Sequence, residues 1–221
     1  MGSEFCRGPP PFPDRKDDDN FFNGRVSEKL LHEVLDVANE FFELPDKDKV
    51  SIYSEDPTKR CRIDYGREKT HYWRDTLRHS CHPLQEHIQF WPEKPPHYRE
   101  VVGSYSKEVM ELISWLLDLI CEGLGLASGY FRDELSPFQI MSNGELHSAE
   151  HRVVTHKNTA RTTIATFICP SSDCKIGPLK ALLSDCNNPL YREFTYRDFI
   201  STYTTDTHAR VPPLDRYKIE Y

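Results

Sequence analysis

Within the stretch HSAEHRVVTHKNTARTTIATF, His147 to Phe167, three residues stand at a spacing that could do chemistry: His151, then Arg161 with Thr163 two positions on. The pattern RTTIATFIC reads as a β-strand, on which alternate side chains share a face, so Arg161, Thr163, Ala165 and Phe167 lie on one side. A guanidinium fork beside a hydroxyl donor is a receptor for one carboxylate, held bidentately by the arginine. His151 falls on the preceding strand, across a turn at Lys157–Asn158–Thr159. A metal on His151 and a carboxylate on Arg161 can therefore be bridged by a short diacid. Spacing leaves open whether both side chains face one way. Each also has a plainer reading, a hydrogen-bonded strand histidine and a surface ion pair. His147 can share the face of His151 on a regular strand, whereas Glu150 and His156 fall on the opposite face by parity. A second group, His71, His79, Cys81, His82 and His87, is dense in zinc-ligand types, but its spacing matches no standard zinc pattern. No residue is singled out as catalytic.

The elements that must carry these residues follow from the periodicity. Residues 1–25 carry a proline run and an acidic run and cannot bury a core, so they read as a disordered tail. Ser27 can cap a helix with Leu30, Leu31, Val34, Leu35, Ala38, Phe41 and Phe42 at helical spacing, ended by Pro45. Residues 46–97 read as strand fragments and loops. A long helix is predicted over Tyr98–Gly123, with Val102, Tyr105, Val109, Leu112, Ile113, Leu116, Leu119 and Ile120 as its buried stripe. A short helix follows near Tyr130–Leu135. From Ser136–Pro137 the pattern turns to strands at Phe138–Met141, Glu150–Thr155 and Arg161–Ile168, with a turn at Ser142–Asn143–Gly144. Residues 195–203 read as a short helix.

Composition excludes several classes of partner. The net charge of −7 and the lack of a basic stripe argue against nucleic acid. The most apolar run, Leu112–Ala127, is broken by Asp118 and Glu122 and is too short for a bilayer. No signal peptide is read, Cys6 breaks the myristoylation pattern, and the odd, irregular set of cysteines reads as cytoplasmic thiols.

SNGELHSAEHRVVTHKNTARTTIATFICP resembles the C-terminal motif of plant 2-oxoglutarate- and Fe(II)-dependent dioxygenases. The segment from Tyr72 to Ser136, YWRDTLRHSCHPLQEHIQFW…GYFRDELS, is similar to the helical region of the same family. The likeness is greatest to the hyoscyamine 6-hydroxylase type and its relatives in specialised metabolism. EVLDVANEFFELPDKDKVSIYSEDPTKR and LYREFTYRDFISTY fit as well. The resemblance implies an α+β fold in which an N-terminal helical layer, residues 26–136, packs on a double-stranded β-helix, or jelly-roll, barrel begun at residue 137 and running to 221. It implies Fe(II) held by a His-x-Asp pair and a distal histidine, with 2-oxoglutarate on the metal and its far carboxylate on Arg-x-Ser or Arg-x-Thr. His151 becomes the distal ligand, and Arg161 and Thr163 the cosubstrate clamp. A small-molecule substrate, hydroxylated as 2-oxoglutarate is decarboxylated, is the implied partner.

Against that pattern one half is missing. None of the ten histidines is followed two positions later by Asp or Glu. After GYFRDELS the family's first barrel strands and their His-x-Asp loop give way to PFQIMSNG, so Ser136–Pro137 reads as an internal deletion and the barrel as incomplete. The strand-forming segment that opens the family is reduced to NFFNGRVSEKLL. The chain reads as a truncated dioxygenase impaired in activity. The alternatives are a non-catalytic interaction protein that uses its uncovered helical layer, with a full-length relative as partner, and an aberrant splice or gene-model product.

Overall fold

Residues 24–56, 58–64, 75–131, 138–148 and 160–220 are described by the structure, a computed structural model. In chain order they form helices α1 (Glu28–Glu43) and α2 (Asp46–Lys49), strands β1 (Cys61–Asp64) and β2 (Thr76–His79), and helices α3 (Leu84–His87), α4 (Tyr98–Gly123) and α5 (Phe138–Met141). Strands β3 (Lys175–Ile176) and β4 (Phe194–Thr195) precede helix α6 (Tyr196–His208). The chain divides into two compact units, one made of residues 15–113 and 155–165, the other of 1–14, 114–154 and 166–221.

In the first unit α1 starts where the sequence signals it. Ser27 Oγ accepts from the Leu30 N–H, and the Ser27 N–H donates to Glu108 Oε2 at 2.8 Å, which ties this cap to α4. Pro45 follows the C-cap Leu44, and Lys49 reaches back to donate to the Phe42 carbonyl at 2.6 Å, so a cation satisfies a helix C-terminus. The face that α1 buries carries Leu30, Val34, Val37 and Phe41, while Leu31 and Leu35 stay exposed. Val34, Val37 and Phe41 pack with Ile63, Trp91, Tyr98 and Val102 into one core. β1 and β2 pair antiparallel from Cys61 opposite His79 to Asp64 opposite Thr76. Buried Asp64 receives Arg62 Nε at 2.6 Å and Arg78 Nε at 3.1 Å, so two cations from adjacent strands compensate its desolvation. Trp91 donates its indole N–H to the Ser80 carbonyl at 2.8 Å, and Arg99 holds the Trp91 carbonyl.

α4 has the predicted bounds but a rotated buried face. Val102, Ser106, Val109, Ile113, Leu117 and Cys121 are buried, and Tyr105, Leu112, Leu116, Leu119 and Ile120 are half-buried. Its LISWLLDLIC stretch is apolar nearly all round, so periodicity cannot choose between neighbouring stripes.

The second unit has its own core of Ile140, Ile176, Tyr191, Phe194 and Tyr217, with the Phe194 and Tyr217 rings stacked 3.6 Å apart. α6 opens on a capping box between Thr195 and Asp198, at the place the sequence marks for a helix, and extends to His208. Buried Asp206 takes both Nε and Nη2 of Arg216.

Two expected strands are corrected. Phe138–Met141 is a helical turn, because local stop signals outweigh its β-propensity: Asn143 and Gly144 take φ of 52° and 88°, and the Gly144 N–H donates back to the Gln139 carbonyl at 2.8 Å. Asn143 is buried there, and its side chain donates to Asn187 and Asn188 while accepting from the Leu190 N–H. Arg161–Ile168 has the alternation of a strand but joins no ladder among the described residues. The sheets among the described residues are two antiparallel pairs, β1–β2 and β3–β4. Of the remaining expectations, the strand Glu150–Thr155 lies outside the described residues, as does the 132–135 part of the short helix near Tyr130, where the chain makes a turn through Phe131.

Phe41→Ala removes a ring from a nearly sealed core and is expected to cost about 3–5 kcal/mol in denaturant unfolding of the chain. The hydrogen bond from Arg216 holds the Asp206 carboxyl below its ordinary 3.8. The pair therefore contributes fully above that value and is lost as pH falls through the depressed one. Thermal melts are expected to show Asp206→Asn less stable than the parent at neutral pH, with the difference shrinking as acid protonates the parent's Asp206.

Candidate functional site

Arg161 and Thr163 are brought to one surface by what lies between them. Thr162 Oγ1 donates to Asn39 Oδ1 on α1, and Ile164 packs against the core of Val34, Phe41 and their neighbours. Those two side chains are half-buried, while Arg161, Thr163 and Ala165 are exposed, so burial alternates residue by residue along 161–165. The shared face expected for Arg161 and Thr163 thus exists without a ladder, fixed by side-chain contacts on the opposite face. No carboxylate among the described residues forms an ion pair with Arg161. Sequence reasoning missed Asn39, which anchors this segment from 123 positions away, a separation no local pattern can signal.

His151 lies outside the described residues, and so does the geometry of any His147–His151 pair; His147 itself is exposed. Among the described residues no group of three or more His, Cys, Asp or Glu side chains could hold a metal ion. A non-haem Fe(II) site needs two histidines and a carboxylate on one face, with open positions for its cosubstrate and O2. The described residues do not supply that set.

The histidine-rich segment also resolves into packing. His79 Nε2 lies 2.9 Å from the Tyr98 hydroxyl, its ring packs tilted against Trp91 with centroids 4.4 Å apart, and its Nδ1 is 3.6 Å from Cys81 Sγ. Burial pushes the His79 pKa down to about 4 and the Cys61 thiol up to about 11, and raises Cys81 and Tyr98 as well. Neutral groups in an apolar setting make a core, and raised thiol pKa values make poor metal ligands and poor nucleophiles. A cleft of about 380 Å³ lies on α4 between Trp115, Asp118, Leu119, Glu122, Leu126 and Ser128, and none of the expected site residues lines it.

Known proteins resemble the chain over most of its length. Residues 22–97 match the model of the N-terminal region of non-haem dioxygenases in morphine synthesis, and residues 130–170 match that of the 2OG-Fe(II) oxygenase superfamily. Hyoscyamine 6-dioxygenase of Hyoscyamus niger is 30% identical over 278 residues, covering 89% of this chain and 81% of the relative. Flavanone 3-dioxygenase 2 of Oryza sativa subsp. japonica is 27% identical over 253 residues, covering 82% and 74%. In three dimensions the chain is similar to JOX2, crystallised in complex with 2OG, Fe and JA, with a TM-score of 0.73 at 20% identity over 90% of this chain and 80% of that one. It is also similar to a rice dioxygenase for auxin oxidation, with a TM-score of 0.60 at 17% identity over 89% and 88%. These two likenesses are of fold. No helix among the described residues is long and apolar enough to cross a membrane.

The buried His79 gives a pH signature. Between pH 6.5 and about 4 the unfolded chain takes up a proton that the folded chain refuses, so stability falls as pH falls across that window. The loss is expected to be about 1–3 kcal/mol in urea titrations. His79→Phe, which keeps the ring on Trp91, is expected to flatten that slope.

Proposed function

The chain belongs to the plant 2-oxoglutarate- and Fe(II)-dependent dioxygenases, and we propose that it is a member that keeps the receptor for the cosubstrate's far carboxylate and has lost a complete iron site. Fe(II) and 2-oxoglutarate are the metal and cosubstrate of the family, as the sequence motif implied. One observation carries the proposal: no histidine in the sequence is followed two positions later by Asp or Glu, so the pair that would complete the set with His151 is absent. The length of the match to hyoscyamine 6-dioxygenase supports it. That alignment runs over 278 positions, more than the 221 residues of this chain, so part of the relative faces a gap.

In an intact member the metal and keto acid would together activate O2, one oxygen atom entering an unactivated C–H bond as a hydroxyl and the other entering succinate as 2-oxoglutarate loses CO2. What this chain's residues do is narrower. Arg161 forks onto a carboxylate, Thr163 adds a hydroxyl donor from the same face, and Asn39 with Ile164 hold that face outward. His151 is the one recognisable ligand position. The relatives named for hyoscyamine and flavanone support a small specialised metabolite, an alkaloid or flavonoid, as the substrate class from which this member derives.

The test is anaerobic titration of the whole chain with Fe(II) and 2-oxoglutarate, read as the metal-to-keto-acid charge-transfer absorbance and, separately, as calorimetric binding of 2-oxoglutarate alone. The expected result is no stoichiometric band, together with weak metal-independent binding that Arg161→Ala weakens by roughly tenfold to a hundredfold. A band at near-stoichiometric iron overturns the lost-site reading and makes the chain a working dioxygenase. Binding of 2-oxoglutarate unaffected by Arg161→Ala overturns the receptor.

A further inference from the structure

Between α4 and the loop that follows it lies the cleft of about 380 Å³ that the carboxylate receptor does not use. Its lining residues run from Trp115 to Ser128, so it belongs wholly to the second unit. Trp115, Leu119 and Glu122 fall at i, i+4 and i+7 on one face of α4, and Asp118 stands three positions after Trp115. Past the helix end Gly125 takes a φ of 68°, and the Leu126 N–H donates back to the Cys121 carbonyl at 2.8 Å, which turns the chain over the last helical turn. Asp118 latches the loop there: its Oδ1 accepts from Ser128 Oγ at 2.9 Å and from the Gly129 N–H at 2.8 Å. Helix face and loop are thus pinned to each other, and the cleft they bound is part of the fold.

The lining is apolar with charge of one sign. Trp115, Leu119 and Leu126 are half-buried and give an aromatic and aliphatic surface, while Asp118 and Glu122 give two carboxylates. Among the described residues no cation forms an ion pair with Glu122. No lysine or arginine occurs between Lys107 and Arg132, and the last turn of α4 has no basic residue, so the negative end of the helix dipole adds to the same potential. An indole attracts cations through its ring, and apolar walls strengthen an ion pair that open water would screen. We infer that this cleft is a binding site for a small organic cation, a protonated amine on a compact apolar body. The amine meets the carboxylates of Asp118 and Glu122, and the body packs on Trp115, Leu119 and Leu126. Small-molecule sites span about 300–1,000 Å³, so a cleft at the lower end of that range takes a molecule of one or two rings. Its charge repels a dicarboxylate such as 2-oxoglutarate, so the site is separate in ligand as well as in place from the receptor at Arg161.

Calorimetric titration of the whole chain with phenethylammonium tests the inference. Three compounds serve for comparison: neutral 2-phenylethanol, anionic 3-phenylpropanoate, and methylammonium, which has the charge without the ring. The expected result is saturable one-to-one binding of phenethylammonium, about tenfold or more tighter than any of the three. Glu122→Gln removes the charge of an exposed side chain and is expected to weaken that binding about threefold to tenfold. Asp118→Asn keeps an oxygen acceptor for Ser128 and Gly129 while removing the charge, and is expected to weaken it at least as much. Glu55→Gln makes the same change of net charge at an exposed position of the other unit and is expected to leave binding unchanged. Circular dichroism establishes that the variants fold. Absence of saturable binding overturns the proposal. Equal affinity for 2-phenylethanol does so too, since it marks an apolar crevice alone, and equal affinity for methylammonium marks charge alone. A loss with Glu55→Gln as large as that with Glu122→Gln places the binding elsewhere and also overturns it.

Discussion

The seating of Ile164 on the core built around Phe41 and Trp91 is the contact on which the candidate site depends. In an extended chain side chains alternate, so fixing one residue to a core fixes the parity of its neighbours. With Ile164 turned inward and Thr162 bound to Asn39, Arg161 and Thr163 can only face out. The outward orientation of Arg161 and Thr163 is thus set by a hydrophobic contact together with one neutral hydrogen bond. Among the described residues no carboxylate pairs with Arg161, so on the proposed reading its guanidinium is what meets an incoming carboxylate.

What the sequence made legible follows from how far each signal reaches along the chain. The starts of α1 and α6 and the stop at Pro45 are set by residues within a turn of the boundary, and they stand where Ser27, Thr195 and Pro45 place them. The face of α4 was less legible, because Leu116 and Leu117, or Ile120 and Cys121, are equally apolar, and only the partner surface decides between them. Strands depend on a partner remote in sequence. Phe138–Met141 has strand composition but also a stop signal at Asn143–Gly144, and the local hydrogen bonds are made. At the site, the common face of Arg161 and Thr163 was legible from parity alone, and Asn39 was not. The cluster around His79 shows the converse error: ligand-type residues close in sequence that the fold spends on packing against Trp91 and bonding to Tyr98.

The two units differ in how they satisfy buried polar groups. In the first, cations meet a buried carboxylate at Asp64 and a helix carbonyl at Phe42, and an indole meets the Ser80 carbonyl. In the second, Asn143 alone closes three hydrogen bonds around a left-handed turn, and Asp206 is sealed by Arg216. One exception stands in the first unit, where the buried His87 Nδ1 has no hydrogen-bond partner among the described residues.

On the reading proposed above, the missing iron pair and the small sheets share one origin. None of the ten histidines is followed two positions later by Asp or Glu, and the sheets among the described residues are two antiparallel pairs. In the family that the motif resembles, the His-x-Asp pair stands among barrel strands, so loss of that stretch would remove metal ligands and ladder partners together. The proposed receptor needs neither. Arg161 and Thr163 take their direction from Ile164 and Asn39, so on this reading a carboxylate can still be met where a full Fe(II) ligand set is missing.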